Sequence, residues 1–154
     1  MGYENATLTA NWVSLTPEVV DTANFIVKDH VLSEIKGGST VEEFDLGISD
    51  VYEVKIYNKN NVLKTSGKLG TGDKVRIYLD NNMLDEYIIS VKGDVTGDGK
   101  INIADVSKLY QFMKGRITMD ECYQYAGNIA GNDNVIRIND VSKLYQYIKG
   151  RITL

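Results

Sequence analysis

The chain has 154 residues, 43% of them hydrophobic, which suits one ordinary domain or two small ones with a packed core. Acidic residues outnumber basic residues by 21 to 17, so the net charge is −4, and no lysine or arginine cluster is long enough to follow a phosphate backbone. No apolar run approaches the roughly 18 residues that a membrane-spanning helix needs, so we expect neither nucleic-acid binding nor membrane insertion.

The N-terminal half has the pattern of a small sheet. Its candidate strands are rich in Val, Ile and Tyr, and three of them alternate apolar and polar side chains, as half-buried strands do. The stretch "GGSTVEEFDLG" (37–47) predicts a turn and one brief helix capped by Ser39 or Thr40. Asn-rich turns separate the later strands. The five predicted strands are 24–29, 31–36, 51–58, 74–80 and 84–92.

After Lys92 the composition changes, and the stretch "GDVTGDGKINIAD" (93–105) has the spacing of a calcium loop. Such loops supply oxygen ligands at positions 1, 3, 5, 7, 9 and 12, with a glycine at position 6 where the chain turns sharply. Counted from Asp94, Gly99 falls at position 6. The six ligand positions are Asp94, Thr96, Asp98, the Lys100 carbonyl, Asn102 and Asp105. A solvated acidic turn is the alternative interpretation.

A repeat follows this loop. The segment "DVSKLYQFMKGRIT" (105–118) returns as "DVSKLYQYIKGRIT" (140–153) at an offset of 35 residues. Apolar residues recur in each copy at helical spacing, and Gly115 and Gly150 follow where helices commonly end in a left-handed residue. Both copies therefore predict helices. Between them, "TMDECYQYAGN" predicts a short linking helix with a capping box from Thr118 to Glu121.

The loop before the second helix departs from the calcium pattern. Twelve positions counted back from Asp140 end on Ile129, which has no ligand oxygen on its side chain, so Asn128 becomes the predicted first ligand of a thirteen-residue loop. Ala130 stands where an oxygen is expected, and Arg137 lies near the site. A loop that folds without metal and a loop that binds calcium weakly are both consistent with this sequence. The candidate ligands are Asn128, Asn132, Asp133 and Asp140.

The loop that ends in Asp and the duplicated helix resemble a dockerin, a module of two calcium loop–helix units found in secreted bacterial proteins. This resemblance covers residues 93–154, and residues 3–92 resemble the small β-rich X-modules that precede some dockerins. It implies an α+β chain in which a β-rich N-terminal module packs against an all-α dockerin made of two calcium loop–helix repeats. It also implies bound calcium, a cohesin as partner, and a secreted or cell-surface bacterial protein concerned with polysaccharide degradation.

The predicted partner surface combines two observations. Polar positions facing away from the apolar stripe recur in both helices, and the dockerin pattern implies further recognition positions at the start of each helix and along it. One partner could bind such a repeated surface in two orientations related by a half-turn, although recent duplication alone also explains the identity. The candidate residues are Ile103, Ala104, Ser107, Tyr110, Gln111 and Lys114, then Ile138, Asn139, Ser142, Tyr145, Gln146 and Lys149.

Three classes of function remain. The first is a calcium-dependent docking module, in which the metal orders the loops and the loops orient the helices. The second is a calcium sensor or buffer, which normally places a helix before each loop as well as after it. The third is an enzyme or carbohydrate binder in residues 3–92, where neither a hydrolase carboxylate pair nor a nucleophile triad can be identified. We therefore expect a non-enzyme. Because "MGYENATLT" contains no basic and apolar leader, we expect any export signal to lie outside this sequence.

Overall fold

The computed structural model describes residues 25–131, 133 and 135–154, and within them the chain forms five strands and three helices. Every predicted strand overlaps an observed strand, and both repeat copies and the linking segment overlap a helix, although β5, α1 and α3 each begin two residues before the predicted segment. The strands are β1 (Ile26–Lys28), β2 (Val31–Ile35), β3 (Glu53–Tyr57), β4 (Lys74–Leu79) and β5 (Asn82–Val91). The helices are α1 (Ile103–Met113), α2 (Glu121–Gly127) and α3 (Ile138–Ile148).

The strands form one mixed sheet in the order β1-β2-β5-β4-β3, with β2 parallel to β5 and the other neighbours antiparallel. Alternation explains how β4 packs, because Val75 and Ile77 are buried on one face while Arg76 lies between them on the other. The turn from β4 to β5 uses Asp80 and Asn81, both with positive φ, and these residue types tolerate that conformation in tight hairpins.

The predicted helix within residues 37–47 is wrong. Val41–Glu43 form only a turn, because the surrounding backbone pairs with a distant part of the chain. The Val41 N–H donates to the Gly67 carbonyl (2.9 Å), and the Leu69 N–H donates to the Ser39 carbonyl (2.9 Å). The Ser39 carbonyl, which would accept the first bond of a helix capped at Ser39, is thereby used by Leu69, and Val41 is held against Gly67.

The two repeat helices have matching ends and a shared core. Both α1 and α3 are followed by a glycine with positive φ, Gly115 (φ 66°) and Gly150 (φ 67°), as predicted. Leu109 and Leu144 are fully buried in a hydrophobic cluster that also includes Val95. The linking helix α2 begins after Asp120 and not at Thr118, so the predicted capping box does not form its N-terminus.

The predicted fold class is also wrong. The described chain is a mixed five-stranded sheet with three short helices, in which strands and helices hold about equal numbers of residues, and it is not an all-α dockerin packed against a small module. Hydrogen bonds join the sheet directly to the helices. The Ser90 hydroxyl on β5 donates to the Cys122 carbonyl (2.7 Å), and the Gly93 N–H donates to the Ala126 carbonyl (2.8 Å). The division into residues 3–92 and 93–154 stays a prediction.

Candidate metal centre and docking face

The centre of loop 1, defined as residues 94–105, is the carboxylate of Asp94. It follows β5 closely and is 1% exposed, so it depends on protein donors. Its Oδ1 accepts the N–H groups of Gly97 (2.8 Å) and Asp98 (3.2 Å), and its Oδ2 accepts those of Gly99 (3.0 Å) and Thr71 (3.0 Å). Burial raises the pKa of Asp94, the backbone donors oppose that rise, and the neighbouring carboxylate of Asp105 adds to it. Burial is the largest of these effects, so the pKa of Asp94 lies above its ordinary value.

Asp105 closes loop 1 from the other end. Its carboxylate is 0% exposed; Oδ1 accepts the Thr96 N–H (2.8 Å) and the Thr96 hydroxyl (2.9 Å), while Oδ2 accepts the Asn102 N–H (2.8 Å). The Asn102 side chain in turn accepts the Ala104 N–H (2.8 Å) and caps α1. The first helix and the loop are therefore fastened together by one capping box.

The donors gathered in loop 1 are hard oxygens, which suit calcium. Asp94, Thr96 and Asp105 come together, because the Thr96 hydroxyl lies 3.5 Å from Asp94 Oδ1 and 2.9 Å from Asp105 Oδ1. Within the described ranges, neither buried carboxylate forms a salt bridge with a basic side chain. A bound cation would relieve their mutual repulsion, so this donor set fits the group that the sequence predicts.

The outer predicted ligands are arranged differently. Asp98 and Lys100 are exposed, and Asp98 Oδ1 accepts the Lys100 N–H (2.9 Å). In the part of the chain that the structure describes, no three His, Cys, Asp or Glu side chains form a group able to hold a metal. Loop 1 thus brings two carboxylates and a hydroxyl together and leaves the third predicted carboxylate at the surface.

Loop 2, defined as residues 128–140, is fastened to its helix by the same bonds as loop 1. Lys143 Nζ donates to the Ile129 carbonyl (2.6 Å), just as Lys108 Nζ donates to the Val95 carbonyl (2.8 Å). Asp140 Oδ1 accepts the Ala130 N–H (2.7 Å), the counterpart of the Thr96 N–H bond to Asp105. Ile129 therefore stands where Val95 stands in loop 1, and Asn128 stands at the position of Asp94.

The chemistry of loop 2 does not fit a calcium ion. Ala130 places a methyl group where Thr96 supplies a hydroxyl, and Arg137 takes the position of Asn102. The Arg137 guanidinium forms an ion pair with Asp133, and this hydrogen bond lowers the pKa of the Asp133 carboxyl. A cationic side chain thus already neutralises one predicted ligand. Asp140 is buried, as Asp105 is in loop 1, and Asn132 lies outside the described residues.

The docking face consists of the twelve predicted partner residues, and all twelve are exposed. Its repeated members match closely: Ile103 and Ile138 are 59% and 57% exposed, and Tyr110 and Tyr145 are 39% and 40% exposed. A lysine lies over each tyrosine ring one turn later, Lys114 over Tyr110 (5.6 Å) and Lys149 over Tyr145 (5.4 Å). The two helices therefore present two copies of one apolar and basic surface.

Three residues that contribute to the candidate site were not identified from the sequence. Lys108 and Lys143 are among the repeated polar positions that are predicted to face away from the apolar stripe, but both are half-buried and bind a loop carbonyl. Their recurrence at the offset of 35 was the available signal. Thr71 donates to Asp94 from 23 residues away, and no local pattern around it indicates that contact.

Comparison with protein-family models, curated proteins and solved structures finds no match to this chain. No helix in the described residues is long and apolar enough to cross a membrane.

Proposed function

We propose that this chain is a calcium-dependent docking protein that attaches a secreted bacterial protein, concerned with polysaccharide degradation, to a cohesin-type partner. The observation that carries the proposal is the pair of helices, each of 11 residues, that expose the same side chains next to loops fastened in the same way. The resemblance of residues 93–154 to dockerins supplies the class of partner. Secretion and a role in polysaccharide degradation follow from the same resemblance.

Loop 1 is the proposed calcium site, with Asp94, Thr96 and Asp105 as its inner ligands. A bound calcium ion would supply the positive charge that two adjacent buried carboxylates need. Asp105 accepts the Asn102 N–H and so joins the ligand set to the first turn of α1. Order in the loop is thereby passed to the helix that carries half of the docking face.

The way the chain enters loop 1 disfavours a calcium sensor. Sensors of the EF-hand type open a groove by moving two helices on either side of each loop. Here Asp94 follows strand β5, and only the exit of the loop is helical. Calcium in this arrangement would fix an existing surface, because there is no entering helix to swing away.

Calcium-dependent capture tests the proposal. The full chain should bind at least one member of a panel of purified cohesins in millimolar calcium, measured by calorimetry, and should lose that binding when the calcium is chelated. Failure to bind any cohesin in calcium, or equal binding in calcium and chelator, would contradict the proposed function.

Two tyrosine variants test where the partner binds. If either helix can present the surface, Tyr110→Ala and Tyr145→Ala should each leave affinity within about threefold, whereas the double variant should lose about tenfold or more, since aromatic anchors dominate such interfaces. The matched control is Tyr52→Ala, because Tyr52 lies next to strand β3 and outside the docking face. A large loss from one single variant alone would assign one orientation.

A further inference from the structure

The backbone of loop 1 packs closely against the backbone of residues 69–73, which lie between β3 and β4. A Cβ added to Gly97 would lie 2.4 Å from the Thr71 carbonyl oxygen. One added to Gly70 would lie 3.2 Å from both the Gly97 carbonyl oxygen and the Gly99 nitrogen. The two segments therefore meet through glycines, and this close approach lets the Thr71 N–H reach Asp94 Oδ2 at 3.0 Å.

Residues 69–73 are themselves fixed to the sheet. The buried Thr71 hydroxyl accepts the Val91 N–H (3.0 Å) and donates to the Val91 carbonyl (3.3 Å) on β5. The buried carboxylate of Asp73 accepts the Gly70 N–H (2.9 Å) and the Lys64 ammonium (2.7 Å). The donor that Thr71 offers to Asp94 is therefore part of a rigid frame and not of a free loop.

We propose that residues 69–73 are a positioning element of the loop 1 cation site, so that calcium affinity depends on the folded sheet. This inference rests on the proposed function, because it assigns a role to the sheet in the same site. The Thr71 N–H fills one acceptor direction of Asp94 Oδ2 and orients the carboxylate before a cation arrives. Three of the four backbone donors to Asp94 come from loop 1 itself, and the fourth comes from 23 residues upstream.

The coupling is reciprocal. If the folded sheet raises calcium affinity, bound calcium must stabilise the sheet by the same factor. A force or partner that displaces residues 69–73 would then release the cation and loosen the helix that carries half of the docking face. Docking would thus depend on the folded sheet as well as on calcium.

The test is a wedge placed on the sheet side of the contact. Gly70→Val puts a branched side chain against Gly97 and Gly99 and should weaken calcium binding about tenfold or more, measured by calorimetry on the full chain. The matched control is Gly67→Ala, three residues earlier, where φ is +90° and an added Cβ meets nothing within 4 Å. That control carries backbone strain without touching loop 1, and its calcium affinity should stay within about threefold of the unchanged chain.

A second measurement covers the case in which Gly70→Val does not fold. In the unchanged chain, saturation with calcium should slow hydrogen exchange of the Thr71 amide and shift its NMR resonance. The resonance of the Val41 amide, which donates to the Gly67 carbonyl, should shift little. Unaltered calcium affinity in a folded Gly70→Val variant, or a Thr71 amide indifferent to calcium, would overturn the inference alone. An unchanged chain that binds no calcium would overturn the proposed function together with it.

Discussion

Removing one carboxylate from each loop should separate its structural role from its role toward calcium. Asp105 and Asp140 occupy the same place in the two repeats, are 0% and 2% exposed, and each accept three hydrogen bonds. Asp105→Ala and Asp140→Ala are therefore matched perturbations. They differ in the chemistry that surrounds them, which fits calcium in loop 1 and does not in loop 2.

The expected magnitude follows from the donors left behind. Asp105→Ala strands the N–H groups of Thr96 and Asn102, and Asp140→Ala strands those of Ile129, Ala130 and Arg137. A hydrogen bond to a charged group contributes about 1.5–3 kcal/mol, and part of that is recovered when the loop relaxes toward water. We expect each variant to lower the free energy of unfolding by about 3–5 kcal/mol in chelator.

Calcium should divide the two variants. A ligand that binds only the native state at one hundred times its dissociation constant adds about 2.7 kcal/mol of stability. The unchanged chain and Asp140→Ala should both show a gain of that order, whereas Asp105→Ala should show almost none. Urea unfolding followed by circular dichroism, in chelator and in excess calcium, measures all three differences.

Two results would refute this reasoning. A loss below about 1 kcal/mol for either variant in chelator would mean that the buried carboxylate does not hold its loop closed. If calcium no longer stabilises Asp140→Ala but still stabilises Asp105→Ala, the cation binds in loop 2 and not in loop 1. Asp50→Ala is the control for both, since Asp50 is exposed and lies outside loop 1 and loop 2.

Three further outcomes are expected. Burial raises the pKa of the Cys122 thiol to about 11, so the native protein should resist thiol reagents at neutral pH. The thiol of the unfolded chain ionises at a lower pH than the buried thiol, so the free energy of unfolding should fall from about pH 9 to pH 11. The free energy of unfolding of a Cys122→Ala variant should fall less over this range. Leu144→Ala empties a fully buried position and should cost about 2–5 kcal/mol in urea unfolding, whereas Ile138→Ala, at an exposed position, should cost well under 1 kcal/mol. Arg137→Asn removes the cation beside Asp133 and adds an amide oxygen, so calorimetry should detect a weak second calcium event that the unchanged chain lacks; a strong second event in the unchanged chain would contradict this.

The sequence predicts local structure well wherever one face of an element is buried. Alternation locates β4, because Val75 and Ile77 must both enter the core. Helical spacing locates α1 and α3 for the same reason, and the glycines that follow them are read from a local backbone requirement. These signals need only residues close in sequence.

Features that depend on distant residues were missed or predicted incorrectly. The helix expected in residues 37–47 loses to backbone pairing with residues 67–69, and the contact of Thr71 with Asp94 joins positions 23 residues apart. The predicted fold class is wrong because the described residues form one mixed five-stranded sheet with three short helices, in which β2 pairs in parallel with the distant β5. Spacing along the chain carries no record of which distant donor meets a buried carboxylate.

The structure assigns different roles to repeated residues that sequence identity alone cannot distinguish. Duplication alone would preserve both Lys108 with Lys143 and Ile103 with Ile138, so identity cannot separate packing from recognition. The two lysines have a structural role, since each donates a hydrogen bond to a carbonyl of its own loop. The two isoleucines are more than half exposed and belong to neither hydrophobic cluster of the described residues. Water contact with so much apolar surface costs free energy that a bound partner would recover, so the isoleucines, and not the lysines, are the sharper test of docking.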